Sequence, residues 1–153
     1  MIMKRIMVDA QNCKGCKNCS IACMQSHRKD NPGGFHSLDL ADPANESRNL
    51  ILLNGNDEYK PLFCRHCAQP ECVKACMSGA MEKDSKTGYV RHNAAKCASC
   101  FMCVMSCPYG VIKPDRATNS YIVKCDFCQQ DGDDPCCVKA CRSGAIYVKE
   151  VQQ

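Results

Sequence analysis

The chain has 153 residues, of which 6% are aromatic, none is tryptophan and 17 are cysteine. So few aromatics exclude a fold held by a large apolar core, and the chain needs cross-links or bound metal instead. The formal charge of +4 comes with no basic tract interleaved with aromatics, which excludes a nucleic-acid surface, and no apolar run nears the ~18 residues of a membrane-spanning helix.

Residues 2–8 read as a short strand with Ile2, Ile6 and Val8 as its apolar positions. The stretch Met1 to Val8 has no apolar run long enough for a signal peptide, and no twin-arginine leader precedes Cys13. The chain is therefore expected in the cytoplasm. The first cysteine motif is Cys13-x2-Cys16-x2-Cys19-x3-Cys23, and residues 20–27 continue from it as a short helix. Residues 28–49 are polar, contain Pro32, Gly33, Gly34 and Pro43, and read as an inserted loop. Leu50 to Leu53, Asn54-Gly55-Asn56 and Tyr59 to Phe63 form a hairpin pattern. It leads into Cys64-x2-Cys67-x4-Cys72-x3-Cys76. Residues 80–92 carry a second hairpin with Asp84 to Gly88 as its turn. The third motif is Cys97-x2-Cys100-x2-Cys103-x3-Cys107, followed by Pro108, and residues 108–112 leave it as loop and then strand. Tyr121 to Lys124 enter the fourth motif, Cys125-x2-Cys128-x8-Cys137-x3-Cys141, as a strand, and Ala145 to Lys149 form the last one.

The third motif has the ferredoxin spacing, in which three close thiolates wrap one iron–sulfur cube. The fourth cysteine lies one helical turn further on and reaches a neighbouring cluster. Four motifs supply sixteen ligands, enough for four [4Fe–4S] clusters. Isolated C-x2-C pairs are more often zinc sites, and a cysteine-rich short chain can be a disulfide scaffold. Four cysteines within residues 13–23, and again within 97–107, favour clusters over both. Each oxidised cluster with its thiolates carries about −2, so four of them bring the formal charge to about −4. Many of the 20 Lys and Arg then offset buried negative charge.

The segment Pro70 to Met81 aligns with Pro135 to Ile146, identical at nine of twelve positions. Tight and loose motifs alternate, as in a duplicated two-cluster unit. In this alignment Cys136 falls opposite Glu71 and Cys137 opposite Cys72, which makes Cys136 the spare cysteine. His66 sits between ligands and is expected to hydrogen-bond or lie at the surface near a cluster; His27, His36 and His92 are expected to face solvent. Met24, Met77, Met81, Met102 and Met105, beside ligand cysteines, are expected to pack around the clusters. No dinucleotide turn, P-loop or nucleophile–base set is present, so the chain is expected to be an electron carrier without catalytic residues.

Taken together, Cys13-Lys-Gly-Cys-Lys-Asn-Cys19, Phe63-Cys-Arg-His-Cys67, Lys96 to Gly110 and Lys124-Cys-Asp-Phe-Cys128 resemble the four-cluster polyferredoxin subunits of anaerobic redox enzymes. The likeness is greatest to the iron–sulfur proteins associated with CO dehydrogenase. The resemblance implies an α+β fold of two nested bacterial-ferredoxin-like (βαβ) halves. The outer half would comprise residues 1–62 and 108–153, with loop and hairpin 28–63 inserted, and the inner half residues 63–107. It further implies four ligand sets. Cys13, Cys16, Cys19 and Cys141 would bind the first cluster; Cys23, Cys125, Cys128 and Cys137 the second. Cys64, Cys67, Cys72 and Cys107 would bind the third; Cys76, Cys97, Cys100 and Cys103 the fourth. Proline follows only Cys107 among the last cysteines, a departure from the pattern. The implied function is relay of low-potential electrons from a CO dehydrogenase to a soluble oxidoreductase or hydrogenase. Alternatives are a subunit of an aldehyde or formate oxidoreductase or of a hydrogenase complex, or a structural subunit whose clusters hold an assembly together. Nucleic acid and direct membrane insertion are not expected.

Overall fold

The computed structural model describes residues 2–29 and 37–152. The expectations for His36 and for the Pro32-Gly33-Gly34 stretch lie outside the described residues. The architecture is a small mixed assembly of short helices and four two-stranded antiparallel ribbons. Strand β1 (Ile2–Val8) pairs with β8 (Ile146–Gln152), from Ile2 opposite Gln152 to Val8 opposite Ile146. The hairpin β2 (Leu50–Leu53) and β3 (Tyr59–Leu62) forms where the apolar run and its Asn-Gly turn place it. So does the hairpin β4 (Met81–Lys83) and β5 (Val90–His92). The exit from the third motif is mostly loop, and β6 (Lys113–Pro114) pairs only briefly with β7 (Ile122–Val123).

Helix α1 (Asn18–His27) runs from the first motif and packs on α4 (Cys136–Lys139) of the fourth. Helix α2 (Glu71–Lys74) of the second motif packs on α3 (Met102–Met105) of the third. First and last motifs thus meet at one place, second and third at another. Pro70 and Pro135 open α2 and α4, where a missing N–H costs nothing.

Among the described residues two small cores back these meeting points, each drawing residues from more than one part of the chain. One gathers Ile6, Phe63, Tyr89, Phe127 and Ile146 with Cys19 and Cys137. The other gathers Met81, Val90, Ile112 and Ile122 with Cys103. Tyr89 stacks on Phe127 at 4.6 Å between centroids, and the His66 ring meets both edge-on. On β1 the buried positions are Met3 and Ile6, whereas Ile2, expected to be a core position, is 65% exposed. The strand's inward face begins one residue later than its first apolar residue.

The stretch expected to be a polar loop is packed at its C-terminal end. Asn45, Ser47 and Asn49 are buried. Ser20 Oγ donates to Asn49 Oδ1 at 2.6 Å, and Asn49 Nδ2 donates to the Cys19 carbonyl at 3.3 Å. These residues cover the first turn of α1 with polar groups that satisfy one another, which is why a hydrophilic segment can be buried there.

Candidate metal centres

The four motifs share a backbone device. In each C-x2-C unit the residue before the second cysteine has positive φ: Gly15 (66°), His66 (43°), Ser99 (55°) and Phe127 (63°). Lys17 and Phe101, after Cys16 and Cys100, have positive φ as well. Alternating right- and left-handed residues turn successive N–H groups toward one concave side, an arrangement that receives anionic groups such as iron–sulfur cores. A left-handed non-glycine residue costs of order 1–3 kcal/mol, so its recurrence at equivalent positions marks loops shaped for a purpose. Each tight motif is also entered in the same way. Asp9 caps the turn Ala10–Asn12 and Asn93 caps the turn Ala94–Lys96, each accepting from the backbone N–H two residues on.

These loops bring sulfurs from distant parts of the chain together. Cys13, Cys16 and Cys19 line one small pocket with Cys141. Cys97, Cys100 and Cys103 line another with Cys76. Cys64, Cys67, Cys72 and Cys107 lie close enough to perturb one another. Burial raises the Cys72 thiol to about 11, with Cys64, Cys107 and Cys67 adding to the rise. Cys67 is raised by burial and then by Cys64, with Cys107 contributing. At the remaining site, Cys137 is pushed to about 12 by burial and then by Cys23 and Cys128. Half-buried Cys125 is raised by desolvation and then by Cys64 of the neighbouring set, with Cys23 adding less. Desolvated, mutually repelling thiolates are the donor set that a cationic iron core stabilises, so the residues present fit such clusters.

Cys136, the spare cysteine of the alignment, also lies at this last site. Its Sγ is 3.5 Å from Cys128 Sγ and 3.4 Å from the Ala22 carbonyl oxygen. The hydrogen bond from Cys136 lowers the Cys128 thiol to about 6, while Cys136 itself is raised by the same bond. Cys136 therefore holds the proton and Cys128 presents the thiolate.

Two of the histidines, His27 and His92, behave differently from the sequence expectation. His27 does not face solvent: its side chain is only 6% exposed, with Nδ1 2.8 Å from the Cys23 carbonyl oxygen and 3.7 Å from Cys23 Sγ. Its Nε2 is 3.1 Å from Asp126 Oδ1, and Arg48 pairs with Asp126 Oδ2 at 2.6 Å. Burial opposes charge on His27, but the bonds to Asp126 and Cys23 prevail and hold its pKa at about 10. His92 is half-buried beside Cys76, Cys97 and Cys103, a correction of the same kind. His66 is fully buried and accepts from Val90 N–H at 3.0 Å through Nδ1. That bond places its proton on Nε2, which has no hydrogen-bond partner among the described residues. Of the methionines, Met81 is buried as expected, but Met77 and Met105 are 89% and 83% exposed and do not pack around a cluster. Lys124, buried between the cores, donates to the carbonyls of Val90 and Cys125.

The fold and its cysteine-lined sites define a polycluster iron–sulfur protein of ferredoxin type. The chain belongs to the 4Fe-4S dicluster domain family, whose profile matches residues 56–151. It is 30% identical to the electron transport protein HydN of Escherichia coli, covering 92% of this chain and 85% of that one. It is 35% identical over 146 residues to the beta subunit of the NADH-dependent phenylglyoxylate dehydrogenase of Aromatoleum evansii, covering 92% of this chain but only 29% of that protein. Among solved structures, a chain of the active site complex BamBC of benzoyl coenzyme A reductase superposes with a TM-score of 0.54 at 26% identity. That match covers 99% of this chain and 81% of that one.

Proposed function

We propose that the chain is an electron-transfer subunit that carries four [4Fe–4S] clusters and has no catalytic residues of its own. The observation that carries this reading is the pairing of motifs. Cys141 joins the cavity of Cys13, Cys16 and Cys19, and Cys76 joins that of Cys97, Cys100 and Cys103. Each tight motif borrows its fourth sulfur from a loose one, as the implied ligand sets require. The pairing of β1 with β8 and of α1 with α4 supports a division into an outer half, 1–62 with 108–153, and an inner half, 63–107. When bound, the clusters supply one-electron carriers. The protein's own residues hold the thiolates, exclude water from Cys19, Cys23, Cys103, Cys128 and Cys137, and turn backbone N–H groups toward the cores.

In this reading the electrons come from a CO dehydrogenase, on the motif resemblance, and leave for a soluble oxidoreductase or hydrogenase in the cytoplasm. Among the described residues no helix is long and apolar enough to cross a membrane. The relatives favour a second reading of the partner. The similarity to a phenylglyoxylate dehydrogenase subunit points to an enzyme that oxidises a carbonyl substrate, the class that includes the aldehyde and formate alternatives. The test begins with iron and sulfide analysis of anaerobically purified protein, expected at about sixteen of each, one per ligand cysteine. A reconstituted assay then compares CO-driven reduction of a dye with that of an acceptor enzyme. Cys100→Ser is expected to cut the second and spare the first. Equal acceptor rates with and without the chain remove CO dehydrogenase as the partner.

A further inference from the structure

The site of Cys23, Cys125, Cys128 and Cys137 differs from the others in what surrounds its sulfurs. Among the described residues, hydrogen bonds to ligand sulfur at the other sites come from uncharged groups. Met81 N–H reaches Cys76 Sγ at 3.4 Å, and the hydroxyls of Ser78 and Ser143 lie 3.7 and 3.6 Å from Cys76 and Cys141. Cys23 receives the Arg48 N–H at 3.3 Å and, in addition, has the His27 ring 3.7 Å from its sulfur. Both ring nitrogens of His27 face oxygens that can only accept, the Cys23 carbonyl and the Asp126 carboxylate. Each nitrogen must therefore carry a proton, and the ring is an imidazolium by geometry. Asp126 is held in turn by Arg48 and by the Cys128 N–H, which donates to its Oδ1 at 3.0 Å. The same carboxylate oxygen thus holds a cation against Cys23 and the backbone N–H of Cys128.

We propose that His27 is a positioning residue that acts through Cys23 to raise the reduction potential of the cluster held by Cys23, Cys125, Cys128 and Cys137, setting that cluster apart from the other three. The proposal rests on the ligand sets of the proposed function. Adding an electron makes a cluster and its thiolates more negative, and a cation hydrogen-bonded beside a ligand sulfur stabilises that state. The third site has cations of its own in Arg5 and Lys124, but these reach carbonyl oxygens, of Arg65 for the one and of Val90 and Cys125 for the other, rather than a ligand sulfur. Replacing His27 by leucine removes both the donor and the charge and leaves Asp126 with Arg48 and the Cys128 N–H. Both effects lower the potential.

The experiment is an EPR-monitored redox titration of the iron-replete parent protein, His27→Leu and His27→Gln. One of four midpoints is expected to fall in His27→Leu by at least a tenfold change in the reduction equilibrium, about 59 mV for one electron. The other three stay in place. His27→Gln keeps a neutral donor and is expected to fall by less. Four unchanged midpoints in iron-replete His27→Leu overturn the proposal. So does loss of about a quarter of the iron in both variants, which would make His27 a structural support only. A parent protein without iron would instead defeat the proposed function, an outcome distinct from either.

Discussion

Gly15 offers the sharpest test of the loop geometry. A methyl group placed on it would lie 2.3 Å from Tyr59 Cε1 and Cζ and 2.5 Å from Cδ1, far inside the ~3.5–4.0 Å of a carbon–carbon contact. Gly15→Ala also imposes an L side chain on φ +66°, a cost of about 1–2 kcal/mol. The Tyr59 ring must swing away from the loop that holds Cys13, Cys16 and Cys19, adding about 1–3 kcal/mol of displaced packing. Gly79 is the matched control. Its φ is +67°, but nothing lies within 4 Å of an added methyl, so Gly79→Ala pays the backbone cost alone. At about 2–4 °C per kcal/mol for a chain of this size, Gly15→Ala should melt roughly 2–12 °C below Gly79→Ala. The comparison is made on holo-protein under argon at one scan rate, because cluster loss makes unfolding irreversible. Tyr59→Ala placed in the Gly15→Ala background should recover part of the difference. Equal melting of the two glycine variants, or no recovery in the double variant, would refute the reasoning.

Cys136→Ser is expected to keep full iron content, whereas Cys137→Ser should lose about a quarter of it; the reverse pattern, read by iron analysis, would show that Cys136 is the ligand. The apo-chain has only two small cores, so chelating the iron under reductant should abolish cooperative unfolding in calorimetry. A sharp transition in iron-free protein would count against that. Lys124→Met leaves the carbonyls of Val90 and Cys125 without their donor, at about 1.5–3 kcal/mol for each charged hydrogen bond. It should lower the melting temperature by roughly 6–24 °C, and a change under 2 °C would show the amine to be dispensable.

How much of this was readable in advance depends on the range of the interaction. The four motifs, both hairpins and the first and last strands follow from local spacing and turn residues, and they occur where the sequence places them. The left-handed loop positions were legible only at Gly15. His66, Ser99 and Phe127 adopt the same backbone without a glycine to announce it, since the fold rather than local propensity imposes the conformation. Long-range polar contacts were invisible. Nothing in the sequence pairs Ser20 with Asn49, or Asp126 with both His27 and Arg48, across tens of residues. The methionine expectation failed for a related reason. Closeness in sequence to a ligand cysteine does not fix which way a side chain points, and Met77, beyond the end of α2, and Met105, the last residue of α3, both turn outward.

One substitution between otherwise matching motifs accounts for much of what distinguishes the first from the other three. After Cys76, Cys107 and Cys141 the third residue is glycine, with φ of 67°, 60° and 67° at Gly79, Gly110 and Gly144. Each of these glycines donates its N–H back to the cysteine carbonyl, at 3.4, 3.1 and 3.3 Å, and the chain turns off within one turn of the helix. At the equivalent place after Cys23 stands Ser26. Serine does not enter the left-handed region cheaply, so α1 runs on to His27. The extra turn is secured by Ser26 itself, whose hydroxyl donates to Asp131 at 2.8 Å and whose carbonyl accepts from Gln130 at 2.9 Å. Because the helical repeat is 3.6 residues, the residue four beyond Cys23 returns to the face that carries its sulfur. That residue is His27, and its Nδ1 reaches the Cys23 carbonyl oxygen at 2.8 Å. The missing glycine therefore lengthens the helix, the length places the imidazolium beside the cysteine, and the fourth motif answers with Asp126.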